Sequence, residues 1–288
     1  MPVNFVTPFF YGNGNRWPIF VRILKNNRLC MILRTLLFAA LLPAALGCGR
    51  GPAAELPDAG GTFSGFVVAA AETSPGASST VSRLTPTGAV AWRRQFANDN
   101  LQPLRSGGGL VFTVTSQGDS SWFRALRLSD GGEAWSVPSG RGHFTDWTYL
   151  RGVVYVAHNN SNNSVLRTYD AASGAVLRQL PTMLGTQGQL AADSSSGLLF
   201  LVHLDLAQNA KLYALDAESL ATFWTAAMGT YARTPDASVG LSAGNVALMD
   251  GQGNIRAFRK FNGAPDWLLR TPVPKWERVY FMGDAVLV

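Results

Sequence analysis

The chain has 288 residues, of which 47% are hydrophobic and only 15% charged, and its formal net charge is +6. Five of the basic residues (Arg16, Arg22, Lys25, Arg28 and Arg34) fall before residue 48 with no acid among them, so the other 19 basic residues face 18 acidic ones. A near-neutral remainder without a basic stripe excludes a nucleic-acid surface of the usual electrostatic kind.

The first recognisable element is Met31 to Cys48. Arg34 supplies a positive start, Leu36 to Leu46 an apolar core of eleven residues, and Gly47 a small residue at the cut, as in a secretory signal. That core is too short to span a bilayer of roughly 30 Å. Ala45-Leu-Gly-Cys48 resembles the lipobox of bacterial lipoproteins, which makes Cys48 the expected lipidation site and the mature N-terminus. The alternative is an ordinary signal peptide cut nearby. Residues 1–30 precede a complete signal and are expected to be a mis-assigned extension ahead of Met31, the rival being a long basic leader. Residues 48–62 are rich in glycine and proline and cannot bury enough surface to order themselves, so they read as a flexible tether. Gly49 is not acidic, and in the resembling lipoproteins that implies the outer membrane, facing the periplasm or the cell surface.

From residue 63 onward one phrase recurs. Lys211-Leu-Tyr-Ala-Leu-Asp-Ala-Glu-Ser-Leu-Ala-Thr-Phe-Trp224 reads as a strand (Leu212 to Leu215), a tight turn (Asp216 to Ser219) and a second strand closing on Trp224. The tryptophan position holds Trp92, Trp135, Arg178, Trp224 and Trp267, at steps of 43, 43, 46 and 43 residues. Gly88, Gly131, Gly174 and Gly263 stand four residues before it, and only the fourth repeat lacks this glycine. A fixed period in the forties marks a repeat architecture. Each repeat also holds a short apolar run after a glycine (Val153-Val-Tyr-Val-Ala157, Leu198-Leu-Phe-Leu-Val202) that suits a strand buried on both faces. A polar loop such as His158 to Ser164 is expected next, then the hairpin, then a weaker strand such as Gln187 to Ala192. No segment shows the apolar spacing of a helix. Four strands per period predict an all-β fold, a β-propeller of four-stranded blades with five repeats and the start of a sixth.

Leu212-Tyr-Ala-Leu-Asp-Ala and Trp224 resemble the repeat of the PQQ-like β-propeller superfamily over about residues 63–288. That superfamily includes quinoprotein dehydrogenases and BamB-like lipoproteins that scaffold outer-membrane protein assembly. Signal, lipobox and repeats together imply the second layout: a lipid-anchored envelope scaffold that binds proteins of the β-barrel assembly type. The alternatives are a quinoprotein-like oxidoreductase or a ligand-sensing propeller. Propellers of this superfamily usually have seven or eight blades. Either Arg278 to Met282 supplies an inner strand to the first blade and closes a five-bladed ring, or the repeats continue past Asp284-Ala-Val-Leu-Val288. The latter is the expectation.

Few residues suggest chemistry. Cys30 and Cys48 precede the repeats, so no disulfide or cysteine metal site is expected in the domain, and no adjacent cysteine pair or acidic calcium loop matches the quinoprotein site. No catalytic, cofactor-binding or metal residue is therefore assigned, and the protein is read as a non-enzyme. His158 and His203 each fall six residues after a strand-opening glycine (Gly152, Gly197), where repeat two has Thr115 and repeat five Asp250. They are a metal or anion pair, or polar residues at the rim of the central channel. His143 reads as loop surface. Trp122, Trp147 and Trp276, with Arg141, are either aromatic and cationic anchors on loops or ordinary packing between blades.

Overall fold

The computed structural model describes residues 66–70, 78–96, 100–101, 104–117, 120–140, 142–160, 163–180, 183–230, 239–250, 252–270, 280–282 and 285–287, and every regular element among them is a strand. β1 (Phe66–Ala70), β2 (Ser79–Leu84) and β3 (Val90–Phe96) make the first sheet. In the second, β4 (Asn100–Leu101) and β5 (Arg105–Gly107) both pair β6 (Leu110–Gln117), followed by β7 (Ser120–Arg127) and β8 (Glu133–Pro138). The third runs β9 (His143–Leu150), β10 (Val153–Asn160), β11 (Asn163–Asp170), β12 (Val176–Gln179), with β13 (Met183–Leu184) also on β11. The fourth is β14 (Thr186–Asp193), β15 (Leu198–Leu204), β16 (Asn209–Asp216) and β17 (Thr222–Thr230). The fifth is β18 (Gly240–Leu241), β19 (Asn245–Met249), β20 (Ile255–Arg259) and β21 (Pro265–Leu269). A hairpin of β22 (Tyr280–Met282) and β23 (Ala285–Leu287) follows.

Each sheet is a blade, and hydrophobic pattern sets its order. The second strand of a blade is the most apolar: β15 is buried at every residue. The outer strand is the least: β12 is exposed along its whole length. Successive side chains of a strand face opposite ways, so one strand serves two neighbours. Val111 and Leu126 pack with Trp92 of blade one, whereas Phe112 and Val114 pack with Phe144, Trp147 and Val154 of blade three. Tyr155 and Ala157 then meet Leu199 and Leu201, and Phe200 and Val202 meet Val246 and Leu248. The protein therefore has a chain of cores between blades rather than one central core. The innermost strands β5, β9, β14 and β18 adjoin in sequence, with β22 beside β18.

The repeated tryptophan explains its own recurrence. Trp92 Nε1 donates to the Leu128 carbonyl (2.8 Å), Trp135 Nε1 to that of Ala171 (2.8 Å) and Trp224 Nε1 to that of Lys260 (2.7 Å). Each indole thus docks on the turn of the next blade, against its glycine. A Cβ on Gly131, Gly174 or Gly263 would fall 2.5, 2.7 or 2.5 Å from the preceding blade's indole, and the three have φ of 71°, 72° and 68°. Close approach and left-handed backbone both require glycine there.

Between blades three and four the joint is built differently. Arg178, in the tryptophan's place, donates to the Glu218 carbonyl. Leu220, in the glycine's place, has φ 61° and is buried. The Ala217 carbonyl, which stands where Leu128, Ala171 and Lys260 stand, accepts instead from the Tyr155 hydroxyl at 2.9 Å. The two departures from the repeat pattern, a missing tryptophan and a missing glycine, are the two halves of one joint. Arg178→Trp alone is expected to cost about 1–3 kcal/mol by overpacking onto Leu220. Leu220→Gly alone removes about 2–5 kcal/mol of packing. Urea unfolding of the double variant should show the two effects partly cancelling, by about 1 kcal/mol or more; simple additivity would disprove the exchange.

Several sequence expectations shift. The hairpin of the fourth repeat is longer than its sequence suggests, and Trp224 lies at the start of β17, not at its close. The stretch from His158 is no loop: β10 runs to Asn160 and β11 begins at Asn163, because His158 and Asn159 are buried against neighbouring strands. β22 pairs β23 and adjoins β18, so Tyr280–Met282 supplies no inner strand to the first blade. Residues 1–65, including Cys48 and the segment expected to be a signal, lie outside the described residues, as do Arg141 and Trp276.

Candidate functional site

The histidines of blades three and four occupy matching places, near the ends of β10 and β15. Both are buried, and Nε2 of each has no hydrogen-bond partner among the described residues. Burial is the main reason that both titrate below the ordinary histidine value; the positive charges of Arg167 and then His143 add to it at His158. A backbone carbonyl accepts from the other ring nitrogen, Ser139 for His158 and Leu184 for His203. Both rings are thus neutral near pH 7, with a lone pair on Nε2.

Neither ring lies on an innermost strand, so neither lines a channel rim. His158 packs against Phe144 at 5.3 Å and His203 edge-on to Tyr213 at 6.2 Å. Among the described residues no group of three or more His, Cys, Asp or Glu could hold a metal ion. His143 is exposed but begins β9 instead of a loop. Trp147 belongs to β9 and is buried in the core between blades two and three. Trp122 lies in β7, half-buried, with the Arg124 guanidinium 5.5 Å above its ring. Both tryptophans are strand residues, and packing accounts for them.

Residues that bind the blades escaped the sequence. Arg105 of β5 donates through Nη2 to Asp146 Oδ1 (2.7 Å) and through Nη1 to the Leu190 carbonyl (3.2 Å). Asp146 Oδ2 accepts from the Leu190 amide at 2.7 Å, so one carboxylate links three innermost strands. Nearer blade five, Lys260 Nζ lies 2.5 Å from Asp193 Oδ2, both residues buried. A signal did exist: Lys260 stands where Leu128 and Ala171 stand in earlier repeats.

A cavity of about 490 Å³ opens between blades two and three, lined by Pro138, Ser139, Gly140, His158, Asn160, Asn163, Val165 and Arg167. Register explains its floor. The cross-strand pairs His158–Val165 and Asn160–Asn163, with Val156–Arg167, put five of these side chains on the face of β10 and β11 that looks toward blade two. The chain leaving β8 makes the wall.

A family model described as outer membrane protein assembly factor BamB matches residues 77–196. No curated protein matches the chain. Among solved structures, BamB from Moraxella catarrhalis is similar at 17% identity and TM-score 0.48, over 72% of this chain and 61% of that one. The Dos1 propeller aligns at 13% identity and TM-score 0.50, over 67% and 54%. Saccharomyces cerevisiae Sqt1 aligns at 10% identity and TM-score 0.50, over 68% and 57%. The chain spans between about half and three fifths of the length of these structures. The last two share its fold. With the tryptophan–glycine joints repeated from blade to blade, the chain is a β-propeller, and residues 77–196 of it match the BamB family model directly.

Proposed function

We propose that the protein is a non-catalytic binding scaffold of the cell envelope, anchored by lipid on Cys48 and engaged with outer-membrane protein assembly. The observation that supports it most is the match of residues 77–196 to the assembly factor's repeats. Two further features fit. The exposed large apolar residues include Val176, Leu177, Phe223 and Leu268, all on outermost strands. An outer strand such as β12, exposed throughout, offers main-chain groups for an extended segment of a partner to pair. A rigid stack of blades with accessible edges suits recognition.

The test uses the full chain in envelope membranes. Crosslinked pull-downs should recover β-barrel assembly proteins, and Cys48→Ser should move the protein to the soluble fraction, since acyl burial at about 0.8 kcal/mol per CH₂ is then lost. Retention of the uncut Ser variant in the membrane would place the anchor elsewhere. Stoichiometric PQQ binding, or quinone-dependent oxidation with added calcium, would overturn the scaffold reading in favour of a quinoprotein.

A further inference from the structure

Blades two, three and five carry an arginine at one repeat position: Arg124, Arg167 and Arg256. In blade two, Arg124 Nη1 meets Glu133 Oε2 at 2.7 Å, while Nε donates to Thr115 Oγ1 at 2.8 Å. In blade five, Arg256 Nε meets Asp250 Oδ2 at 2.8 Å. Both arginines hold a carboxylate of their own blade. The matching places in blade three offer none: Val176 replaces Glu133, and His158 replaces Asp250. Arg167 donates through Nε to the Gln179 amide oxygen at 2.9 Å, and no carboxylate pairs with it among the described residues. It is also the arginine that borders the cavity.

We infer that the cavity between blades two and three binds a carboxylate supplied from outside, held by Arg167 and His158. The lining selects this chemistry. Among the described residues it contains no Asp or Glu to attract a cation, and no Phe, Tyr or Trp on which a sugar or base could stack. It does contain a guanidinium, an imidazole, two amides and a hydroxyl. Its volume lies within the range of about 300–1,000 Å³ for small-ligand sites. His158 Nε2, more than nine-tenths buried and without a partner among the described residues, becomes a donor to the bound oxygen on taking up a proton. The charged groups around His158 are Arg167 from β11 and His143 from β9, both unfavourable to that proton. An entering carboxylate reverses the balance. Binding is therefore coupled to proton uptake and strengthens as pH falls toward 6.

The probes are succinate, as a free acid, and an acetylated tripeptide with a free C-terminus, as a carboxylate borne on a chain. Imidazole resonances of the full-length protein are followed through a pH titration with and without each probe. Either probe is expected to raise the His158 pKa by about one unit at saturation. A response to succinate identifies a small-acid site, and a response to the tripeptide alone identifies peptide recognition. Arg167→Gln should weaken binding about tenfold or more. Val176→Glu restores on an exposed strand the acid that blade two has, and should abolish binding while leaving the far-UV spectrum and melting temperature unchanged. Silence of the His158 resonance toward both probes, or undiminished binding by the Val176→Glu variant, would overturn the assignment.

Discussion

Replacing Trp224 with alanine is expected to destabilise the protein by about 3–5 kcal/mol, the usual range for a large buried aromatic. Three losses combine. The indole packs against Phe200 at 5.9 Å, covers the turn at Gly263, and donates from Nε1 to the Lys260 carbonyl. The exposed parts of the ring place the effect toward the lower end of the range. Gly263→Ala attacks the same joint from the other blade, since its Cβ would lie 2.5 Å from Trp224 Cε3 with the backbone at φ 68°. The two variants should be far from additive, because either one undoes the joint. Guanidinium unfolding curves of the singles and the double decide this. A loss under 1 kcal/mol for Trp224→Ala would show that the indole only decorates the blade.

Asp193→Ala should be as damaging, about 3–5 kcal/mol, because it strands the Lys260 ammonium without its buried counter-charge. Adding Lys260→Met should recover much of the loss, since removing both charges also removes the cost of burying them. Acid adds a second readout. Burial pushes the Asp193 carboxyl up, yet the Lys260 ammonium with the Ser196 and Ser195 hydroxyls outweighs this and holds it below its ordinary 3.8. The unfolded chain then binds the proton more readily than the fold. The contribution is complete above pH 3.8 and is lost as pH falls through the lower, folded value. Acid unfolding of the wild type should include this loss below about pH 4, and the double variant should lack it. Equal acid sensitivity of the two proteins would remove Asp193 from the account.

The repeat was legible because two physical constraints print themselves in the chain. The indole needs a glycine opposite, and a strand covered on both faces needs an unbroken apolar run such as Leu198 to Val202. Those signals located the blades and their outer hairpins. The innermost strands were harder to read: β9, His-Phe-Thr-Asp-Trp-Thr-Tyr-Leu, mixes polar and aromatic residues because Asp146 is satisfied by Arg105 and a neighbouring strand's amide. The sequence therefore left Trp147 open between a loop anchor and packing between blades, and the structure gives the packing. The cavity was only half visible. His158 stood out by type, but Arg167 became informative only beside Arg124 and Arg256, whose carboxylates lie nine residues ahead in one blade and six behind in the other. A pairing that changes its sequence offset from blade to blade leaves no fixed motif.

The unusual joint at Arg178 and Leu220 bears on how such a chain can be lengthened or shuffled. An ordinary repeat carries, within one hairpin, both the glycine that receives the preceding indole and the tryptophan that docks on the following blade. Copying such a unit in frame creates two workable seams at once. The third repeat receives a tryptophan but presents an arginine, and the fourth receives that arginine but presents a tryptophan. Neither can be duplicated, deleted or exchanged alone without facing Trp against Leu220 or Arg178 against a bare glycine. The pair therefore behaves as a single keyed unit, in which blade four has to follow blade three.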